Sequence, residues 1–353
     1  MRQPISKEYK MDNYTNPDSE MNRQNIRQCR KTYTIIAFTL TASYLVTYGI
    51  VYLISYLIAP VLQNGSLGLP ASTITAILNY WPMYVICFPL ILLVLSRLKK
   101  SSPEINRLGA KSFIKYFSVC FPILLVGSII GNVLSMLLSN GQSQNDLTGL
   151  LSAIDPVVII TTTILAPVFE ELVFRKAIID RTKQYGEFTA VFFSALCFGL
   201  FHMNFFQFFY SFGIGLLFGY VYIRTGKIRY TIIMHFIVNS LSSIVVPFLL
   251  AKSDYYNFME MLQQENIEGI LSSGTLIWVL IYMMYSSLYF AAICFGVVMF
   301  CTNIKKIRFN SQEGELKKST GMKAALLNIG TIVYFLLSAV FFTLYLFKES
   351  LFQ

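Results

Sequence analysis

Two adjacent carboxylates and an arginine, Glu170, Glu171 and Arg175, close a run that otherwise reads as hydrocarbon-soluble. The chain has only two histidines, His202 and His235, and each falls in a further apolar run, the second with Asn239 four residues on. A charge inside a bilayer costs about 2.5–3.5 kcal/mol even on a lenient insertion scale, so ionisable groups kept there are functional-site candidates. Together these residues offer a base, two imidazoles and an amide donor. Water-driven hydrolysis of a carbonyl needs that set: a group to take the proton from water, and donors for the oxyanion.

Helical spacing assigns first roles. Glu171 and Arg175 are four apart with the carboxylate on the amino-terminal side, which stacks them on one face in the favourable order. Glu170 is turned about 100° from its neighbour by a 3.6-residue turn. The spacing therefore predicts that Glu171 is compensated by Arg175 and that Glu170 is free for chemistry. His235 and Asn239 share a face, and His202 follows Phe198 by one turn. Pro167 has no N–H, so the carbonyl of Thr163 is expected to lose its helical partner and the helix to kink beside the carboxylates. Each ionisable residue alone also has a structural reading, as a core histidine bonded to a carbonyl or a carboxylate reaching interfacial water. The set as a whole is harder to read that way.

The elements that must position these residues follow from composition. Over 353 residues the chain is 55% hydrophobic and 13% charged, with a mean hydropathy of +0.58, against roughly 25% charged for a soluble domain. The expected class is all-α, a polytopic transmembrane helical bundle. Apolar stretches fit to cross a bilayer, about 20 residues each, fall at 35–59, 79–96, 113–138, 156–175, 188–203, 207–223, 230–250, 275–302 and 324–347. This gives eight to nine spans, the fifth and sixth being short. Residues 1–34 read as a disordered cytoplasmic tail, too long and too acidic for a signal peptide, so the first span is expected to be an uncleaved anchor. Residues 35–347 form one transmembrane domain and 348–353 a short C-terminal tail.

One depth conflict arises. A fifth span running from residue 188 puts His202 about 21 Å in, whereas His235 is about 8 Å in from Tyr230, at 1.5 Å per residue. The hairpin between the fifth and sixth spans is therefore expected to turn inside the membrane, where backbone is tolerated only if it lines protein or a wet cavity.

The formal charge of +10 is explained by placement. Of 28 Lys and Arg residues, 25 fall in the tail and in loops 97–115, 176–187, 224–229 and 303–323, with Lys252 and Lys348 on the other side. This is the positive-inside bias. It predicts a multi-pass protein with a cytoplasmic amino terminus, in the plasma membrane if prokaryotic, with the lipid bilayer as partner. No aromatic-basic motif supports nucleic-acid binding, which is excluded. The six cysteines include no CxxC pair and read as buried small hydrophobes.

These residues also carry a resemblance. Glu170 to Arg175 resembles the EExxxR motif, Phe198 to His202 the FxxxH motif and His235 to Asn239 the HxxxN motif of the CPBP (Abi) family of intramembrane proteases. That family includes the type II CAAX prenyl endopeptidases and bacterial bacteriocin-processing or self-immunity proteins. The motifs occur in order, each on an expected span, and the resemblance covers residues 155–250, which it marks as the catalytic core. It implies a helical membrane core with a cavity open to the cytoplasm, cleaving a peptide or protein substrate near its C-terminus or in a membrane-proximal segment. Glu170 and His202 would then activate water, His235 and Asn239 would donate to the oxyanion, and Arg175 would hold Glu171.

A metal version stands beside the metal-free Glu/His mechanism: Glu170, His202 and His235 as ligands of a divalent ion such as zinc, with an open position for water. The spacing is not HExxH, and those ligands would come from three helices. Two further readings come from other classes. A proton- or cation-coupled transporter could use the same groups as a relay, although no pair of Gly/Pro-broken helices in inverted repeat is visible. A non-catalytic membrane immunity or scaffold protein is the other.

Overall fold

The computed structural model describes residues 17–63, 68–152, 154–311 and 314–351. Among them there are helices and no strand, so the all-α class holds. Nine apolar helices carry the fold: α1 Pro17–Gln63, α2 Ala71–Ser96, α3 Ala110–Leu138, α4 Pro156–Tyr185, α5 Glu187–Phe201, α6 Phe205–Thr225, α7 Ile228–Ser253, α8 Leu276–Lys306 and α9 Ile329–Leu351. Eight are long and apolar enough to cross a membrane. The exception is α5, whose 15 residues reach about 22 Å at 1.5 Å each, short of a hydrocarbon core of about 30 Å. The sixth segment, read as short, is a full 21 residues, because the helix continues through the polar Arg224.

Among the described residues, helix extends beyond the expected limits of the transmembrane domain on both sides. Residues 17–34, assigned to a disordered tail, are the first turns of α1, while 1–16 lie outside the described residues. Ile26, Cys29, Tyr33, Ile36 and Leu40 recur at three- and four-residue spacing, the stripe of a helix with one buried face. Cys29, Tyr33, Ile36 and Leu40 are fully buried, whereas Arg23, Arg27, Arg30 and Lys31 take the exposed side. At the far end α9 continues to Leu351, so residues 348–351 of the expected tail are helical and 352–353 lie outside the described residues.

Helix α6 packs between α3 and α5, α8 packs on α3, α9 on α1, and α4 and α7 face each other against α6. Small residues let backbones approach closely in such bundles. A methyl group at Gly127 of α3 would strike the Tyr210 backbone of α6, and one at Gly131 the carbonyl of Phe205.

The loops that carry the basic residues meet at one end of the bundle. The N–H of Ser101 donates to the Asp180 carbonyl (2.6 Å), that of Asn106 to the Thr225 carbonyl (2.8 Å), and that of Asn310 to the Glu187 carboxylate (2.8 Å). Asp180 accepts from the hydroxyls of Tyr222 (2.7 Å) and Ser102 (3.0 Å). At the opposite end Asp155 caps α4. It accepts from the Val157 N–H at 2.8 Å and from the hydroxyl of Ser72 at 2.6 Å, and also from that of Thr73, which pins the start of α2 to the start of α4. The hydroxyls of Ser72 and Thr73 hold the Asp155 carboxyl below its ordinary value.

Candidate active site

The winding of α4 is set by its proline. Residues Thr161–Leu165 form a π-helical turn in which the N–H of Ala166 reaches the Thr161 carbonyl five residues back. The next N–H is missing at Pro167, so the Thr162 carbonyl has no donor from its own helix. The side-chain amide of Asn239 on α7 supplies one, Nδ2 to Thr162 O at 2.8 Å. Sequence pointed to the Thr163 carbonyl, and the carbonyl that α7 reaches is its neighbour's. From Glu171 to Ile179 the helix again winds with π geometry, a rare form that recurs at functional sites.

This winding keeps Glu171 and Arg175 together. Nη2 of Arg175 lies 3.1 Å from Oε1 of Glu171, and both side chains are wholly buried. The contact is an ion pair without hydrogen-bond alignment, since none of the three guanidinium nitrogens makes a hydrogen bond. Aromatic faces take up the rest of the cation: its guanidinium carbon is 4.3 Å from the Phe198 ring centroid and 5.9 Å from that of Phe218. Phe198 was visible within its motif. Phe218 had no signal in the sequence, because nothing in its spacing sets it apart from the other phenylalanines of α6.

His235 joins the two carboxylates. Its Nδ1 is 3.1 Å from Oε1 of Glu171, and its Nε2 is 3.7 Å from Oε2 of Glu170. A carboxylate can only accept, so Nδ1 donates to Glu171 and Nε2 is the nitrogen that looks toward Glu170. The two glutamates differ in access. The Glu170 side chain is 12% exposed and that of Glu171 is 0% exposed, so Glu170 is the less enclosed of the two carboxylates.

His202 ends α5. Its ring lies 5.2 Å from the Phe198 ring, and the His235 ring lies 6.0 Å from the same phenyl. The two imidazoles thus share one neighbour, and their separation cannot exceed those two distances together. Nε2 of His202 is buried without a hydrogen-bond partner. The turn that follows is tight: Met203 has a left-handed φ of 53°, and the Asn204 side chain donates to the His202 carbonyl at 2.7 Å and accepts from the Gln207 N–H at 2.9 Å. Phe201, Met203 and Asn204 are all buried, so this hairpin turns inside protein.

Glu171 therefore touches both Arg175 and His235, His235 lies 3.7 Å from Glu170, His202 joins them across Phe198, and Asn239 stands one turn of α7 away, holding α4. Among the described residues no three His, Cys, Asp or Glu side chains are grouped to hold a metal ion. Beside the carboxylates an apolar groove of about 320 Å³ opens between α4 and α7, lined by Ile164, Pro167, Val168, Ile232, Ile233 and Phe236.

Comparison with known proteins agrees with this core. Residues 152–241 match the family model described as Type II CAAX prenyl endopeptidase Rce1-like. The match takes in every residue from Glu170 to Asn239 named above. The chain is 26% identical over 165 residues to the protein named "Putative membrane peptidase YdiL" of Bacillus subtilis (strain 168). The aligned stretch is 44% of this chain and 66% of that protein, so the chain spans just under two thirds of the relative's length. No solved structure matches significantly. Over residues 152–241, the resemblance carried by the three motifs is borne out: this region is similar to the type II CAAX prenyl endopeptidases.

Proposed function

We infer that the chain is an intramembrane peptidase of the CAAX-endopeptidase type. It hydrolyses a peptide bond near the C-terminus, or in a membrane-proximal segment, of a peptide or protein substrate. The observation that carries this reading is the imidazole of His235 set between an enclosed carboxylate and a less enclosed one, 3.1 Å from Glu171 and 3.7 Å from Glu170.

The roles follow from surroundings. Glu171, fixed by Arg175 and His235, is a positioning residue that orients the imidazole. Glu170 is the base. The 3.7 Å gap between His235 Nε2 and Glu170 Oε2 is too long for a direct hydrogen bond and is of the kind a bridging water fills. Glu170 takes a proton from water there, with the free Nε2 of His202 as the second group that orients it. The oxygen attacks the scissile carbonyl, and the proton passes from Glu170 to the departing amine. Asn239 uses one of its two amide hydrogens on the Thr162 carbonyl and retains the other for an acceptor on the His235 side. The reading takes the metal-free route, in which Glu170 itself is the base.

The test is cleavage by the purified full chain in proteoliposomes, with synthetic peptides ending in CaaX-type or membrane-proximal sequences and mass spectrometry of the products. Cleavage is expected, is expected to survive exhaustive chelation, and is expected to vanish in Glu170→Gln and His202→Ala. Proton-coupled flux without cleavage would hand the site to the transporter reading.

A further inference from the structure

The first turns of α1 carry Arg27, Arg30 and Lys31 on their exposed face, and beside them runs the short helix Lys318–Leu326, with Lys317, Lys318 and Lys323 exposed. Contacts beyond both ends of the short helix fix it against α1. A methyl group on Gly314 would lie 3.8 Å from the Asn25 side-chain amide, and one on Gly330 would strike the Thr34 backbone. The Thr34 hydroxyl donates to the Asn328 side-chain oxygen at 3.0 Å. The six cations therefore share one rim of the bundle.

None of the six forms an ion pair among the described residues. Carboxylates at this end are committed elsewhere: Asp180 to Tyr222 and Ser102, Glu187 to Arg224 and the Asn310 N–H, and Glu315 against Gly186. Lys318 sets its ammonium 3.6 Å from the Phe188 ring centroid, a contact that leaves its charge uncancelled.

Depth identifies what meets these charges. The apolar run of α1 starts at Ile35, and α9 starts at Ile329, six residues after Lys323. Lys31 stands about 6 Å and Arg27 about 12 Å before that border at 1.5 Å per residue, where the headgroup layer on one side of a bilayer is about 5–8 Å deep. On the bilayer side of the cations, Leu327 and Ile329 are exposed apolar residues. A soluble acidic partner matches the charges and not the apolar residues beneath them, whereas a phospholipid matches both.

We propose that this rim binds the phosphate headgroups of anionic phospholipids in the adjoining leaflet, with their acyl chains against Leu327 and Ile329. The guanidinium forks of Arg27 and Arg30 suit phosphate oxygens, and the lysines add point charges. The binding is independent of any peptidase activity.

The experiment uses the full chain in phosphatidylcholine vesicles doped with phosphatidylglycerol that carries a photoactivatable group at the top of one acyl chain. Phosphatidylcholine with the same group is the comparison, and mass spectrometry maps the adducts. Phosphatidylglycerol is expected to label the segments 20–38 and 314–332 at least about fivefold more, the gain for roughly one basic side chain at a charged surface. The preference is expected to vanish in about 1 M salt, where charges are screened within about 3 Å. Arg27→Gln, Arg30→Gln, Lys317→Gln and Lys323→Gln together are expected to abolish it and leave thermal unfolding unchanged. A control of equal charge loss, Arg97→Gln, Lys99→Gln, Arg107→Gln and Lys111→Gln, alters exposed residues between α2 and the first turn of α3 and is expected to keep the preference. Equal labelling by the two lipids overturns the proposal. So does a preference that survives the rim substitutions, or one that falls as far in the control and thus follows net charge alone. Should the rim variant fail to fold, the wild type decides: a preference that persists in high salt, or adducts that map to other loops, also overturns it.

Discussion

Glu170 and Glu171 are neighbours in sequence with opposite surroundings, and their substitutions are expected to part accordingly. Glu170→Gln keeps the shape and removes the proposed base, so cleavage is expected to drop by at least about 10²-fold while the melting temperature stays near wild type. Glu171→Gln leaves the Arg175 cation without its carboxylate in a site where both side chains are wholly buried. Breaking one partner of a buried pair costs about 3–5 kcal/mol, read as a lower melting temperature or a failure to accumulate. A Glu171→Gln protein that melts like wild type would reverse the division of roles. At this scale the residue types and their order were legible. The rings that cage Arg175 were not, because partners far apart in sequence follow no spacing rule.

The elements depart from the 3.6-residue period on which a sequence reading depends. Pro167 and two π-helical segments set where Glu170 and Glu171 point, and the period alone cannot reveal a turn that bonds five residues back. The junction it creates is testable as a pair. Asn239→Ala takes the donor from the Thr162 carbonyl, and an unsatisfied buried acceptor costs about 1–3 kcal/mol. Pro167→Ala gives the helix back an N–H, so the double variant is expected to recover part of that loss, a coupling measured by a double-mutant cycle. Pro167→Ala alone is expected to lower turnover without lowering the melting temperature, because a relaxed α4 turns its carboxylates away from His235.

The cap on α4 gives a pH-dependent case. The Asp155 carboxyl is held below its ordinary value, first by the Ser72 hydroxyl and then by that of Thr73. Its contribution is therefore fully present above the ordinary carboxylate range and lost as pH falls through the lowered folded value. Asp155→Ala is expected to cost about 1 kcal/mol at neutral pH. The gap to wild type is expected to close below about pH 4, as followed by thermal unfolding across pH.

For the whole molecule, all nine apolar segments reappear as α1 to α9, since length and hydropathy are summed over many residues and survive local irregularity. The start of α1 did not stand out, because its buried stripe of Ile26, Cys29 and Tyr33 is diluted by basic residues on the open face. Those residues, with the loops tied together by Asp180, Thr225 and Glu187, make this the end of the bundle that the positive-inside rule would set in the cytoplasm. A cysteine at Ile105, which is 75% exposed in the loop at that end, is expected to be labelled from the cytoplasmic side only in intact cells or oriented vesicles; labelling from outside would invert the assignment. The helix that carries His202 has a bearing on how the chain is made. At 15 residues, with Glu187 buried at its start, α5 falls short of the roughly 20 apolar residues that cross a bilayer unaided. It must therefore enter the lipid as one half of a hairpin with α6. During synthesis the candidate site cannot be assembled helix by helix: a ribosome has to finish Thr225 before His202 can be held at depth, and a nascent chain stopped between them leaves both glutamates in the membrane without their second histidine.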